Sequence, residues 1–283
     1  MSMTAKKTKR GTAKKTAMRA PARKAPARKT PAKSAAKKPG DFFHKQVDVS
    51  LRYAEILRRH IDDPDILQQL STFQRRMFAT RALGHWEVFK MVADLPGDVV
   101  ECGVYKGESL LNWARYLETL CPGDRVKRVI GFDDFEGLRN LGDKDAFDPS
   151  VGAMEGGYRA KGFYNTLLEL IDLFTKDSFV PAKSRIHLVE GDLTKTAKEF
   201  VKKEPGLRIN LLHLDVDAYA PTLAALKAFY PKVVTGGVVL LDEYAIPAFA
   251  GESNALDEYF GGKPPRIQKF PWLSAPGGYF VKE

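Results

Sequence analysis

The stretch Leu214–Tyr244, LDVDAYAPTLAALKAFYPKVVTGGVVLLDEY, decides which fold this sequence adopts. It places two short acidic clusters, Asp215/Asp217 and Asp242/Glu243, directly after runs of apolar residues. Because an unpaired carboxylate is costly to bury, both clusters are expected at the ends of buried strands and not within them. Open α/β sheets bind their ligands at the carboxyl ends of the strands. The two clusters therefore predict a ligand site as well as a fold.

The chain after Pro96-Gly97 alternates strand-like apolar runs with helical patterns. Five apolar runs begin at positions 98, 126, 184, 208 and 236, and a helical pattern follows each of them. Two more short strands are predicted over 265–270 and 277–283. Continuous apolar strands are typical of a parallel sheet that helices cover on both faces. We therefore predict an α/β fold with a doubly wound, mostly parallel, seven-stranded sheet of the Rossmann-like type.

The basic character of the chain comes from one segment. The formal net charge is +10, but residues 1–40 hold 14 Lys and Arg and no acid, which leaves 31 basic against 35 acidic residues elsewhere. This Lys/Ala/Pro-rich segment has too little apolar surface to fold and is predicted to be disordered. It is expected to contact polyanions such as nucleic acid without reading their sequence, or to act only as a solubilising tail.

The predicted organisation is a tail over 1–40, N-terminal helices over 41–95 and the α/β domain over 96–283. No apolar run approaches the ~20 residues of a membrane helix, and the start of the chain lacks the apolar core of a signal peptide. Cys102 and Cys121 are not spaced as metal ligands. A cytoplasmic protein without membrane contact is expected.

The first strand ends in VECGVYKGESL, residues 100–110, a turn into a helix that glycines bracket. Gly103 and Gly107 let the backbone pass close to a ligand. The spacing is not the GxGxxG of dinucleotide-binding turns, and the carboxylate of Glu101 suits an ammonium group better than a pyrophosphate. The predicted cofactor-binding residues of this turn are Glu101, Gly103, Tyr105, Gly107 and Ser109.

The next two strands also end in acidic residues. Asp133 lies 30 residues after Gly103, where a carboxylate can accept hydrogen bonds from both ribose hydroxyls, and Asp192 is placed beside an adenine. A turn or helix-capping role is the alternative for each aspartate. Acids at three consecutive strand ends favour an adenosine cofactor that carries a positive charge, which indicates S-adenosylmethionine over NAD.

The acids of the opening stretch are expected to meet, because the strands they follow are neighbours in such a sheet. Carboxylates held together repel one another unless a cation or protons intervene. Oxygen ligands alone suit Mg²⁺ first, and a bound metal stabilises the charge on a hydroxyl oxygen that attacks a methyl group. The predicted metal ligands are Asp215, Asp242 and Glu243. Alternatively, Asp217 only caps the helix that begins near Pro221, Glu243 is solvated, and His213 is a hydrogen-bonded core residue.

Several of these segments together resemble the macrocin O-methyltransferase (TylF/MycF-like) family over about residues 70–283. They are VECGVYKGESL, GFDDFEGL, VEGDLTKT and the opening stretch, whose D-x-D-x-Y-x-x-T and G-G-x-x-x-x-D-[DE]-Y blocks are the specific element. The resemblance implies a class I methyltransferase that uses S-adenosylmethionine and Mg²⁺ on sugar hydroxyls of natural products. It implies that Asp215 is a metal ligand and the general base, with Asp242 and Glu243 as further ligands. Glu243 stands where the family usually has aspartate.

Residues 139–162 are glycine-rich and poor in apolar residues, which is typical of a mobile lid over the acceptor. The leading hypothesis is a Mg²⁺-dependent O-methyltransferase acting on a small hydroxylated acceptor, a sugar or a sugar-bearing metabolite. An NAD-dependent dehydrogenase and a non-enzymatic nucleic-acid-associated protein are the alternatives. The sequence leaves the oligomeric state open, a homo-oligomer included.

Overall fold

The computed structural model describes residues 40–283, with side chains from Val49 onward. The tail predicted over 1–40 therefore lies outside the described residues, apart from its last position. Helix α1 (Gly40–Arg58), a 3-10 helix (Ile66–Phe73) and helix α2 (Arg76–Val92) precede the first strand. They correspond to the predicted N-terminal helices.

The sheet is parallel except at one edge. Its strands are β1 (Asp98–Cys102), β2 (Val129–Asp133), β3 (Ile186–Glu190), β4 (Ile209–Leu214), β5 (Val233–Leu241) and β6 (Gly278–Val281). They lie in the order β3-β2-β1-β4-β5-β6, and only β6 runs antiparallel to its neighbour. The predicted doubly wound, mostly parallel fold is confirmed.

Within the described residues the sheet has six strands, so the predicted seventh strand is wrong. The segment 265–270 makes only a single bridge, between Gln268 and Tyr279. Prolines at 264, 265 and 271 surround it, and proline has no N–H to donate to a ladder. This stretch therefore cannot extend its pairing with β6.

Five more helices complete the fold: α3 (Glu108–Leu120), α4 (Tyr164–Asp177), α5 (Leu193–Lys203), α6 (Tyr219–Phe229) and α7 (Ala250–Tyr259). The two faces of the sheet carry separate cores: Val99 packs with residues of α2 and α3, whereas Val100 packs with residues of α5 and α6. Burial of each large apolar side chain stabilises the fold by roughly 1.5–3 kcal/mol. Of the helices in the described part of the chain, none has both the length and the apolar character to cross a bilayer.

The central strands end side by side. Leu214 pairs with Leu241 in the ladder between β4 and β5. The N–H of Asp242 then donates to the carbonyl of Leu214 at 3.0 Å, and the N–H of Asp215 donates to the carbonyl of Cys102 at 2.8 Å. The backbone thus brings the two acidic clusters to one point on the carboxyl edge of the sheet.

Candidate active site

The predicted metal ligands converge. Asp215, Asp242 and Glu243 each offer a carboxylate oxygen, and these oxygens all lie within 4.8 Å of one another. Asp242 and Glu243 are buried, and Asp215 is partly exposed. The predicted convergence is therefore confirmed, while the identity of the cation they would hold stays a prediction.

Two further acids surround this cluster. Asp217 lines the same cavity as Asp215, and the carboxyl group of Glu252 on α7 is fully buried. Burial, together with the neighbouring carboxylates, raises the pKa of Asp217, Glu243 and Glu252 well above the usual range. The site holds more negative charge than a buried place tolerates without a cation or protons.

Asp217 does not cap the following helix, so that alternative is wrong. The residue before α6 is Ala218, and the first N–H of the helix, on Tyr219, is taken at 2.6 Å by the side chain of Asp145. Asp217 instead adopts a left-handed backbone conformation with φ 58°. Its carboxyl group is left available to the cavity.

Arg81 supplies a positive charge at the cluster. Its Nη2 donates to Asp215 Oδ2 at 2.5 Å, and its Nη1 donates to Asp242 Oδ2. Burial opposes the charge of the guanidinium, but Asp242 and Asp215 outweigh burial and raise the pKa of Arg81 further. Sequence analysis missed this residue, although it lies on the same face of α2 as the buried His85 and Val88. The sequence does contain a signal for Arg81, because a single charged residue at helical spacing from apolar residues indicates a buried charge with a partner.

His213 is the second cationic partner and is fully buried on β4. Its Nδ1 lies 3.2 Å from Glu101 Oε1 and its Nε2 lies 3.4 Å from Asp242 Oδ1. Burial alone lowers the pKa of the imidazole, but the hydrogen bonds to Asp242 and Glu101 raise it to about 10. The interpretation of His213 as a hydrogen-bonded core residue is confirmed, and two of its partners are acids singled out from the sequence.

The two aspartates of the cluster differ in basicity. Arg81 and His213 outweigh the effect of burial on Asp242 and hold the pKa of its carboxyl well below the usual range. Burial and the Asp242 charge raise the pKa of Asp215 to about 6. Asp242 is therefore a fixed anion, whereas Asp215 is the more basic carboxylate and still ionises near neutral pH.

These carboxylates form part of the wall of a cavity of roughly 1110 Å³ at the carboxyl edge of the sheet. A pocket of this size is large enough for a cofactor and a second small molecule. The predicted site residues that line it are Gly103, Tyr105, Ser109, Asp133, Asp192, Asp215, Asp242 and Glu243.

Glu101 and Gly107 are not in that wall, and the prediction that Glu101 binds an ammonium group is corrected. Glu101 is fully buried, and in the ladder it pairs with His213, to which its carboxylate is hydrogen-bonded. Gly107 instead begins α3 with φ 85°, and a Cβ there would lie 2.4 Å from a methyl group of Leu167.

Asp133 fastens the turn between β1 and α3. Its Oδ2 accepts the N–H groups of Val104 and Tyr105, both at 2.7 Å, and its Oδ1 accepts the N–H of Phe135 at 2.6 Å. A carboxylate has about four acceptor positions. Asp133 therefore has room for one more donor, and the prediction that it binds both ribose hydroxyls is narrowed to one hydrogen bond.

The same turn touches the carboxyl end of β4. Gly103 has φ 90°, and a Cβ on this residue would lie 1.7 Å from the backbone oxygen of Asp215. Only glycine fits so close an approach. The turn between β1 and α3 and the residue that carries the Asp215 carboxylate are thus in direct backbone contact.

Asp192 caps helix α5. Its Oδ1 accepts the N–H of Thr194 at 3.0 Å and the hydroxyl of Thr194 at 2.6 Å. The capping alternative is confirmed for this residue. Because Asp192 also lines the cavity, the cap does not remove it from a bound ligand.

Strained backbone concentrates around the cavity. Four of its non-glycine residues, Tyr105, Asn140, Tyr158 and Asp217, have φ between 53° and 58°. Such conformations cost about 1–3 kcal/mol each and cluster at functional sites. This observation points to the same edge of the sheet independently of charge.

The predicted lid, residues 139–162, contacts both α6 and α7. Besides the hydrogen bond that Asp145 accepts from the first N–H of α6, Lys144 Nζ donates to the Tyr219 hydroxyl at 2.8 Å and forms an ion pair with Glu258. The Tyr158 ring meets that of Tyr105 edge to face, with centroids 5.9 Å apart. The segment therefore closes one wall of the cavity through specific contacts.

Comparisons with known proteins agree with this geometry. Residues 55–260 match the family described as macrocin-O-methyltransferase (TylF). The tetracenomycin-C rhamnosyl 4'-O-methyltransferase of Streptomyces olivaceus is 30% identical over 158 residues, which are 54% of this chain and 55% of that protein. The mycinamicin III 3''-O-methyltransferase of Micromonospora griseorubida is 30% identical over 159 residues, 54% of this chain and 58% of that protein. The chain thus spans little more than half the length of these relatives.

The solved structure of the calicheamicin methyltransferase CalS11 superposes with a TM-score of 0.78 at 26% identity and covers 88% of this chain and 99% of that one. The O-methyltransferase NovP, with a TM-score of 0.53 at 18% identity, covers 71% of this chain and 79% of its own and shares the fold. Because the family match covers well over half of the sequence, the family is shown. This chain belongs to the macrocin-O-methyltransferase (TylF) family.

Proposed function

We propose that this chain is a Mg²⁺-dependent S-adenosylmethionine O-methyltransferase that acts on a hydroxyl of a sugar or sugar-bearing small molecule. The observation that carries the proposal is the set of three carboxylates within 4.8 Å of one another beside a cavity of roughly 1110 Å³. The names of two relatives describe transfer to a rhamnosyl 4'-oxygen and to a 3''-oxygen. These supply the acceptor class for the proposal.

The carboxylate cluster fits a hard divalent cation. Glu243 Oε2 is buried and has no hydrogen-bond partner among the described residues, and oxygen atoms are the ligands that Mg²⁺ prefers. Asp215, Asp242 and Glu243 would hold the ion. When bound, it lowers the pKa of the acceptor hydroxyl, and S-adenosylmethionine supplies the methyl group.

Asp215 is the residue that we assign as general base. Its pKa of about 6 leaves it ionised at neutral pH, and a carboxylate has two oxygen atoms. One of them would hold the ion, and the proton of the acceptor hydroxyl would pass to the other. General base catalysis of this kind contributes about 10²–10⁴-fold to a rate.

The other residues position the reactants. Asp133 and the turn at Gly103 support the cofactor, with one hydrogen bond left on Asp133 for a ribose hydroxyl. The paired rings of Tyr105 and Tyr158 form part of the cavity wall. Holding donor and acceptor in line supplies much of the acceleration in such transfers.

Substitution of Asp215 tests the proposal. Asp215→Asn should lose about 10²–10⁴-fold in methyl transfer from labelled S-adenosylmethionine to sugar-bearing acceptors, while calorimetry shows that the cofactor still binds. Glu204→Gln, at the opposite edge of the sheet, is the matched control. Full turnover of Asp215→Asn, or full turnover of the unaltered protein in EDTA, would refute the metal-assisted mechanism.

Membership of a methyltransferase family argues against the dehydrogenase alternative. Calorimetry with NAD and with S-adenosylmethionine compares the two cofactors directly.

The basic tail, residues 1–40, is proposed to have a role apart from methyl transfer. Its 14 cationic residues support an accessory contact with polyanions. Deletion of residues 1–40 should abolish salt-sensitive retention on DNA and leave methyl transfer intact. Retention that survives the deletion would place the contact elsewhere.

A further inference from the structure

Arg81 and a divalent ion would bind the same two carboxylates, those of Asp215 and Asp242. The guanidinium takes Oδ2 of Asp215 and Oδ2 of Asp242, and His213 takes the remaining oxygen of Asp242. Both oxygens of Asp242 therefore already accept hydrogen bonds from cationic groups. An ion that binds Asp242 and Asp215 together must compete with Arg81 for them.

The competition cannot be relieved by loss of a proton. A guanidinium stays charged at any ordinary pH, and a divalent cation in contact with it would meet strong repulsion in this buried place. The side chain of Arg81 is long, however, and its helix faces the cavity through Met77, Phe78 and Arg81 itself. The guanidinium can move into that space while α2 stays in place.

A second acid is within electrostatic reach of the released side chain. Glu108, in the first turn of α3, also lines the cavity. Burial raises the pKa of Glu108, and the charge of Arg81 is the largest effect that opposes this rise. The cavity wall thus offers Arg81 another carboxylate.

We propose that Arg81 is a built-in counter-ion, which neutralises Asp215 and Asp242 in the metal-free protein and is displaced from them when the divalent ion binds. The inference rests on the proposed function, because it takes these two aspartates as metal ligands. It makes Arg81 a positioning residue: it keeps the ligand pair together before loading and sets how tightly the ion is held.

Mg²⁺ calorimetry on the full chain tests this role. Arg81→Met removes the competitor and should tighten Mg²⁺ binding by about tenfold or more, which corresponds to about 1.4 kcal/mol. In EDTA the same variant should melt below the wild type, because its aspartates have lost their counter-ion, and Mg²⁺ should raise its melting temperature more than that of the wild type. Arg208→Met, at the amino edge of the sheet, removes an exposed positive charge as the control and should change neither quantity.

Arg81→Lys keeps a positive charge but lacks the two terminal nitrogens with which Arg81 donates to Asp215 and Asp242. The Mg²⁺ affinity of this variant should therefore lie between those of the wild type and Arg81→Met. The variant also serves where Arg81→Met fails to fold. A crystal structure of the wild type with Mg²⁺ gives the direct result: the guanidinium should no longer contact both Oδ2 atoms.

Weaker or unchanged Mg²⁺ binding in Arg81→Met, or a guanidinium that still bridges both aspartates beside the ion, overturns the inference and leaves the proposed function standing. Failure of Mg²⁺ to bind any of the proteins, the wild type included, overturns the metal requirement and this inference with it.

Discussion

The two edges of the central sheet both carry arginine–carboxylate networks, and they are built differently. At the amino edge, Arg128 donates from one Nη2 at 2.7 Å to Asp98 and at 2.7 Å to Glu204, and Asp98 also accepts the N–H of Arg128 at 2.8 Å. At the carboxyl edge, Arg81 also joins two acids, Asp215 through Nη2 and Asp242 through Nη1, but further acids lie at the same place. Paired charge is common to both edges, and surplus charge is found at the carboxyl edge.

The pKa values of two glutamates express this difference. The hydrogen bond from Arg128 is the largest effect on Glu204 and lowers the pKa of its carboxyl. Burial and the neighbouring carboxylates raise the pKa of Glu243 well above the usual range. Local pairing completes the amino-edge network, whereas the carboxyl-edge network has surplus carboxylates that need a cation or protons. A surplus of buried like charge is therefore a better sign of a ligand site than buried charge alone.

Removal of one predicted metal ligand should give the largest effect, and it tests most directly whether the carboxyl edge differs from the amino edge in binding a cation. Asp242→Asn removes an ion ligand and the shared partner of Arg81 and His213. We expect Mg²⁺ affinity to fall at least about 100-fold, because even the outer partners of metal ligands cost 10–100-fold. Calorimetry measures it, and unaltered Mg²⁺ affinity would mean that the carboxyl edge is as self-sufficient as the amino edge.

Removal of the arginine at the amino edge should affect stability and not chemistry. Arg128→Met leaves Asp98 and Glu204 without their shared partner, and partly exposed networks of this kind are expected to contribute about 1–2 kcal/mol. Urea unfolding gives the loss, and the rate of methyl transfer should be unchanged. A large fall in turnover without loss of stability would show that this edge also belongs to the site.

The pH dependence of stability sharpens the comparison for His213. Its pKa is about 10 in the folded protein against about 6.5 when unfolded, so folding favours the protonated form. The stabilisation is fully present below about pH 6.5 and is lost as the pH rises through about 10. Melting curves in EDTA should show the wild type and His213→Gln drawing together over this window. A constant difference between them would indicate that His213 is neutral in the folded protein.

The smallest effect is expected at the cap of α5. Asp192→Ala should lower the free energy of unfolding by about 1 kcal/mol, the usual loss for an N-cap aspartate. Binding of S-adenosylmethionine, followed by calorimetry, should weaken as well if the residue contacts the adenine. Weakened binding without loss of stability would assign Asp192 to the ligand alone.

The sequence predicts the position of the cluster because it depends only on strand order and length. β4 and β5 are neighbours, their apolar runs end in register, and the acids follow at once. The interruption of the predicted seventh strand was also visible in the prolines around 265–270. The apolar runs, the acids that follow them and the prolines can be read from short stretches of sequence, so they can be predicted without knowing how distant elements pack.

The partners of the cluster were harder to predict because they depend on packing between distant elements. Arg81 and Asp215 are 134 residues apart in the sequence. They meet only because α2 packs near the ends of β4 and β5. Glu101 was assigned to the cofactor although it shares the face of Val99, which packs beneath α2 and α3. Period-two alternation within β1 places it with His213 and away from the cavity.

The hydrogen bond between Asp145 and the start of α6 has a practical consequence for engineering. Asp145 belongs to residues 139–162, the segment proposed to cover the acceptor. Its carboxylate accepts the first N–H of α6, a helix that begins four residues after the proposed base, Asp215. A chimaera that exchanges this segment for that of a relative would therefore also alter the anchoring of Asp215, unless the donor sequence keeps an acid at the equivalent position. Acceptor range and catalytic rate should be inherited together in such exchanges.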